Sequence, residues 1–251
     1  MAVARLARLV LGPGAVRGRG AVAGSLPRCA GPGRAPRRLF SNRNILVELE
    51  EGAGVAVMKM KSPPVNSLSL DFLTEFSISL EKLENDRGCR GVILTSGNCP
   101  AGGCLMAVSC DYRIMAENPK YSIGLNETQL GIVAPFWFKD TMVNTIGHRA
   151  TERSLQLGLL YSASDALKIG IVDELVPEEK VLNAAAATMS QWLAIPDYAR
   201  QISKSMMRKP TLDRMLTHRE SDIQNFVSFV TKDSIQKSLQ TYMERLKQRK
   251  G

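Results

Sequence analysis

The chain has 251 residues, 44% of them hydrophobic, enough for a sizeable core of the ordinary globular kind. Its net charge of +9 is concentrated at one end: residues 1–40 hold eight arginines and no acid, the first carboxylate being Glu48, so the remainder carries only +1. That remainder has no basic stripe interleaved with aromatics, which sets aside a nucleic-acid-binding module, and no apolar run approaches the roughly 18 residues that membrane insertion requires.

The Arg-rich, acid-free, Ala/Gly-rich start has the composition of a mitochondrial transit peptide over residues 1–40, with Phe40 and Ser41 flanking the expected cleavage and the mitochondrial matrix as the destination. A basic arm that binds RNA is the alternative reading. An α/β core is expected over residues 41–195 and a helical oligomerisation region over 196–251. Cys89, Cys99, Cys104 and Cys110 show no CxxC spacing, and the only histidines are His148 and His218, so no metal site is expected and the thiols read as reduced and mostly buried.

In chain order, "ILVELE" (45–50) and "GVAVMKM" (54–60) flank "EGAG" and predict a hairpin. Pro63 and Pro64 bar helix, and Ser69 is available to cap the segment 70–86, where Leu70, Leu73, Phe76, Leu80 and Leu83 fall on one helical stripe. "GVILTS" (91–96) reads as a buried strand, giving the order β-β-α-β and parallel character. A helix over about 102–110 follows, then strands "DYRIMA" (111–116) and "YSIGL" (121–125). Helices dominate beyond residue 133, interrupted by the strand-like "IVDELV" (171–176) and ending in two amphipathic helices over 212–230 and 232–250.

Two stretches suggest chemistry. In "CPAGGCLMAVSCDYRI", Gly102 and Gly103 stand where the helix begins, so a ligand oxygen could approach the unpaired N–H groups and positive dipole end of that helix. Such a site can hold a developing oxyanion; the same glycines equally suit tight helix–strand packing. In "YSIGLNETQLGIVAPFW", Glu127 is one carboxylate between apolar runs. Dry surroundings favour its neutral form and suit it to proton shuttling, while an ordinary helix-start acid, a salt bridge, or a capping role for residues 126–129 are the plain alternatives.

These stretches, with "PPVNSLSLDFLTE", "RGVILTS" and "GHRATERSLQLGLLYSASDALKIGIVDELVP", resemble the crotonase (enoyl-CoA hydratase/isomerase) superfamily from about Asn44 to the C-terminus. "NETQLGIVAPFW" and "PAGGCL" are similar to its delta-isomerase branch. The resemblance implies a crotonase-like ββα superhelix with a C-terminal helical region, an acyl-CoA substrate, no separate cofactor because coenzyme A belongs to the substrate, and a homo-oligomer, a trimer. It implies that Glu127 shifts the proton, that Gly102 donates an oxyanion N–H, and that Asn126 borders the acyl chain. Hydratases of the family use two acids; here the first acid's position is Leu105, so one-base isomerisation fits and hydration does not.

At Ser96/Gly97 the resemblance breaks. The family places an F-S-A-G-x-D type loop after this strand, supplying the second oxyanion N–H, then a long helix and a further strand. Here Ser96 leads through Gly97 and Asn98 straight to Cys99. Roughly forty to fifty residues are expected to be missing, the scale of a βαβ unit with an added strand. One turn of the superhelix is then absent, and an unstable or nearly inactive form is expected.

Overall fold

The computed structural model describes residues 37–50, 53–63 and 66–248; most of the expected leader lies outside them. The chain divides between Thr95 and Ser96 into two compact units, beside the join that the sequence singles out.

In the first unit, β1 (Arg37–Ser41), β2 (Ile45–Glu50), β3 (Val55–Met60) and β4 (Gly91–Thr95) form one sheet in that spatial order. β2 and β3 make the expected hairpin, pairing Ile45 with Met60 and Val47 with Met58, so these apolar side chains share a face and are buried there. β1, formed by the last residues of the expected leader and Ser41, pairs antiparallel with β2. Helix α1 (Leu70–Asn85) then carries the chain over to β4, which runs parallel to β3.

Ser69 caps α1 as expected, its hydroxyl accepting from the Phe72 N–H at 3.2 Å. Of the expected stripe, Phe76 and Leu83 are buried and Leu73 and Leu80 half-buried, while Leu70 is 80% exposed; the buried face is completed by Phe72 and Ser79. The two stacked phenylalanines, 6.2 Å apart, set the phase because they bring more apolar area than the flanking leucines. At the start of β2, Asn44 donates from its backbone N–H and its side-chain amide to the Glu75 carboxylate at 2.8 and 3.1 Å. β4 was expected to be buried but is half-buried along its whole length, because it is the edge strand of this sheet, with a neighbour on one side.

The second unit begins with β5 (Cys99–Pro100) and α2 (Gly102–Ser109), followed by β6 (Ile114–Ala116) and β7 (Ile123–Gly124). A 3-10 turn (Glu127–Leu130) leads to α3 (Phe136–Ile146), α4 (His148–Leu157), α5 (Ala163–Ile169) and β8 (Glu174–Val176). The chain ends in α6 (Val181–Leu193), α7 (Asp197–Val230) and α8 (Asp233–Gln248). β5 pairs parallel with β7, and β6 with β8. The core gathers Cys104 and Val108 of α2, Ile123, Leu125, Met142 of α3, Ala166 of α5, Ile171 and Val172.

The strands here are shorter than expected, because side chains or nearby backbone carbonyls take the backbone groups that a ladder would use. Before β6, the Arg113 N–H donates to the Asp173 carboxylate at 2.8 Å, and its guanidinium reaches the carbonyls of Ile171 and Cys110. Before β7, the Ser122 N–H donates to Asn98 Oδ1 at 2.7 Å. Before β8, the N–H groups of Ile171 and Val172 return to the Ala166 carbonyl. The first amphipathic helix is longer than expected, because α7 runs through Pro210 instead of starting after it. The ring removes one intrahelical hydrogen bond at that point and the helix continues on both sides.

Candidate functional site

The site is built where β5 turns into α2. The Ala101 N–H donates to the Gly124 carbonyl at 2.7 Å, which fixes the residue before α2 to β7. Ala101 sits at φ 52°, ψ −122°, a conformation that favours glycine, and it offers no side-chain cap to the helix. The chain is thereby turned so that α2 starts at Gly102 with its first N–H groups uncapped by any side chain. Gly124 itself is crowded by the backbone at Leu159 and Leu160: a Cβ there would lie 2.2 Å from the Leu159 carbonyl oxygen, so no side chain fits.

Three residues beyond Gly124, Glu127 opens the 3-10 turn and is only 8% exposed. Its Oε2 is buried without a hydrogen-bond partner. Burial raises its carboxyl above the ordinary glutamate range, against a smaller lowering by its own backbone N–H. Asn126 beside it is 4% exposed and its Oδ1 is likewise buried and unpaired. The readings of Glu127 as a salt-bridge partner or of Asn126 as a side-chain cap are therefore set aside: the turn has no side-chain cap bond.

Cys104, in the first turn of α2, links the two halves. Burial pushes its thiol far up; the nearby Cys99 and then Glu127 add to the rise, while the Gly124 N–H works against it. Cys104 and the Glu127 carboxyl thus lie within electrostatic reach of each other; Gly102 opens α2 two residues earlier, and Asn126 and Glu127 are adjacent buried residues at the start of the 3-10 turn. Leu105, one residue on, is half-buried and gives that helix no acid. Burial of Cys99 raises its thiol to about 11, so the thiols at this site are neutral near pH 7.

Sequence reasoning missed Cys104 as the link, Ala101 as the strained residue, and Tyr161, whose backbone pairs both ways with Ile123 at 3.1 and 2.9 Å while its hydroxyl lies 2.6 Å from Ser154 Oγ. No local pattern marks these contacts, since they join residues far apart in sequence. Among the described residues no cluster of three His, Cys, Asp or Glu is arranged to hold a metal ion, and no helix is long and apolar enough to cross a membrane. Two clefts lie elsewhere: one is lined by Arg43, Lys61 and Asp71, the other by Lys139, His148 and Arg214.

A buried, unpaired carboxylate beside an uncapped helix start can exchange a proton with a bound molecule while the helix N–H groups hold an anionic oxygen. Comparison with known proteins gives this arrangement its family. The family described as enoyl-CoA hydratase/isomerase matches residues 50–99 and 96–250. The chain belongs to that family.

Human mitochondrial enoyl-CoA delta isomerase 1 is 54% identical over 294 aligned positions, which cover 98% of this chain and 97% of the human protein. The rat protein of the same name is 52% identical over 301 positions covering all of both chains. The crystal structure of human mitochondrial delta3-delta2-enoyl-CoA isomerase superposes with a TM-score of 0.81 at 55% identity, covering 83% of this chain and 100% of that one. A family protein from Pseudomonas syringae, 24% identical, shares the fold with a TM-score of 0.66 over 73% of this chain and 98% of its own. The expected crotonase-like fold, mixed helix and sheet with a C-terminal helical region, is thus the fold of this family member.

Proposed function

We propose that the chain is an enoyl-CoA delta isomerase of mitochondria, moving the double bond of a 3-enoyl-CoA ester to the 2-trans position in the oxidation of unsaturated fatty acids. Its relatives at 52–54% identity carry that isomerase name and the mitochondrial designation. The observation that carries the chemistry is Glu127: one buried acid, unpaired at Oε2, whose charge is felt by Cys104 in the first turn of α2. In its ionised form it takes a proton from C2 of the acyl chain, and the electron pair moves to give a dienolate with negative charge on the thioester oxygen. The Gly102 N–H stabilises that oxygen, Asn126 borders the acyl chain, and the acid returns the proton at C4. Coenzyme A enters with the substrate, and the steps use no separate cofactor.

Residues 1–40 serve as the import leader in this reading. Cleavage at Phe40/Ser41 would remove most of β1 and leave the β2–β3 hairpin intact. The join at Ser96/Gly97 is where a segment present in the relatives is missing. In support, the alignment with the human protein runs over 294 positions although this chain has 251 residues, and the two stretches matched by the family meet at residues 96–99. The division into two units falls beside the same point. The missing segment would have supplied the second oxyanion donor, and loss of one such donor costs on the order of 3 kcal/mol in the transition state. The chain is therefore a weak isomerase. Assay of the purified chain with a 3-enoyl-CoA tests this: slow conversion to the 2-trans ester is expected, and turnover matching that of the human relative would contradict the reading of the join.

α7 favours a second, compatible reading. Tyr198, Ile202 and Met206, spaced four apart, form a stripe 59–73% exposed along its first turns. This stripe is the surface by which the chain would assemble, as a homotrimer or as a non-catalytic partner of full-length subunits. Co-expression with a full-length relative distinguishes them, since recovery of mixed oligomers is required by the second.

A further inference from the structure

We infer that Thr128 and Gln129 are positioning residues, which hang the turn carrying Glu127 from the carbonyl groups at the C-terminal end of α4. The last carbonyls of a helix have no partners within it. At the end of α4 the backbone N–H groups of Gly158 and Leu159 cap Leu155 and Ser154, and the turn adds further donors: the Thr128 hydroxyl donates to the Leu155 carbonyl at 2.7 Å, and the Gln129 amide donates to the carbonyls of the cap residue Gly158 at 2.7 Å and of Leu157 at 3.4 Å. Gly158, at φ +57°, makes the approach possible, because a Cβ there would stand 2.7 Å from Gln129 Cγ and 2.8 Å from Thr128 Oγ1.

The turn is closed internally by its own backbone, with Gln129 N–H on the Asn126 carbonyl, Gly131 N–H on Thr128 and Ile132 N–H on Glu127. It therefore moves as a small rigid piece, and the two side-chain anchors set its attitude. α4 in turn is tied to β7 through Tyr161, which pairs with Ile123 and meets Ser154 of α4, and β7 holds Ala101 through Gly124. The turn carrying Glu127 and the strand β7 that holds Ala101 are thus both tied to the same C-terminal end of α4, which fixes the turn relative to β7 in addition to the short chain link between them. Thr128 and Gln129 are exposed while Glu127 is buried, so the anchors lie on the outer side of the turn and touch no part of the proposed site.

The inference rests on Glu127 being the reacting acid, and the test separates the two. The full chain is labelled with 13C at the glutamate carboxyls, Glu127→Gln identifies the resonance, and its titration is followed in Thr128→Val, Thr128→Ser and Gln129→Leu, with thermal unfolding and turnover alongside. Cys104 is the titratable neighbour that feels this charge, and it is unchanged in all three. Expected are a Glu127 titration moved down toward the ordinary range in Thr128→Val and Gln129→Leu, turnover lower by about tenfold with KM within about twofold, and recovery of both readouts in Thr128→Ser. Wild-type titration and turnover in both Thr128→Val and Gln129→Leu would overturn the inference, as would failure of both to fold, which makes the anchors structural. If only Thr128→Val fails to fold, Gln129→Leu decides, because it keeps the threonine bond. A parent chain without turnover whose Glu127 titration still moves in the variants would remove the isomerase reading and leave the positioning intact.

Discussion

Glu127 is the proposed reacting acid, and its environment gives its pH behaviour a definite sign. Burial raises the folded-state pKa above the unfolded value, so the folded protein holds this proton where the unfolded chain has released it. The stability associated with the neutral carboxyl is therefore fully present below the ordinary glutamate range and is lost as pH rises through the raised folded value. Turnover has the opposite dependence, because only the ionised form accepts the C2 proton, and it rises with pH through the same window. Glu127→Gln should abolish turnover and flatten this part of the stability profile, as read by urea unfolding at several pH values. Ala101 supplies a second residue-scale test. Its glycine-like backbone stores strain of about 1–3 kcal/mol, so Ala101→Gly should raise stability by about 1 kcal/mol in the same assay.

Among the elements, α1 shows what a sequence discloses and what it withholds. The helix, its Ser69 cap and its crossover between β3 and β4 are legible, because capping chemistry and apolar periodicity are local. The centre of its buried face is only partly legible, because Phe72 and Leu73 are adjacent and both apolar, and in the fold Phe72 is fully buried while Leu73 is half-buried. Phe72→Ala should therefore cost about 3–5 kcal/mol and Ser69→Ala about 1 kcal/mol, while Leu70→Ala, at an exposed position, should change stability little. The lengths of β6, β7 and β8 were illegible for another reason: Asp173, Asn98 and Ala166 accept from the N–H groups of the flanking residues, and the first two lie 60 and 24 residues from their donors, which leaves no mark on a local pattern. For the site, the residue types of Gly102, Asn126 and Glu127 were readable through the family resemblance, whereas Cys104, Ala101 and the α4 anchors emerge only once the chain is folded.

At the scale of the whole molecule, the chain divides between Thr95 and Ser96, beside the proposed join. β4 ends as a half-buried edge strand at Thr95, with three residues between it and the first residue of β5. The exposed stripe on α7 predicts assembly: Ile202→Asp should shift the chain toward monomer in analytical ultracentrifugation without altering Glu127. The most direct test of the central claim is the rate at which the purified chain converts a 3-enoyl-CoA to the 2-trans ester, measured beside Glu127→Gln. The account predicts slow conversion by the parent and none by the variant, with both chains folded; equal rates in the two would contradict it.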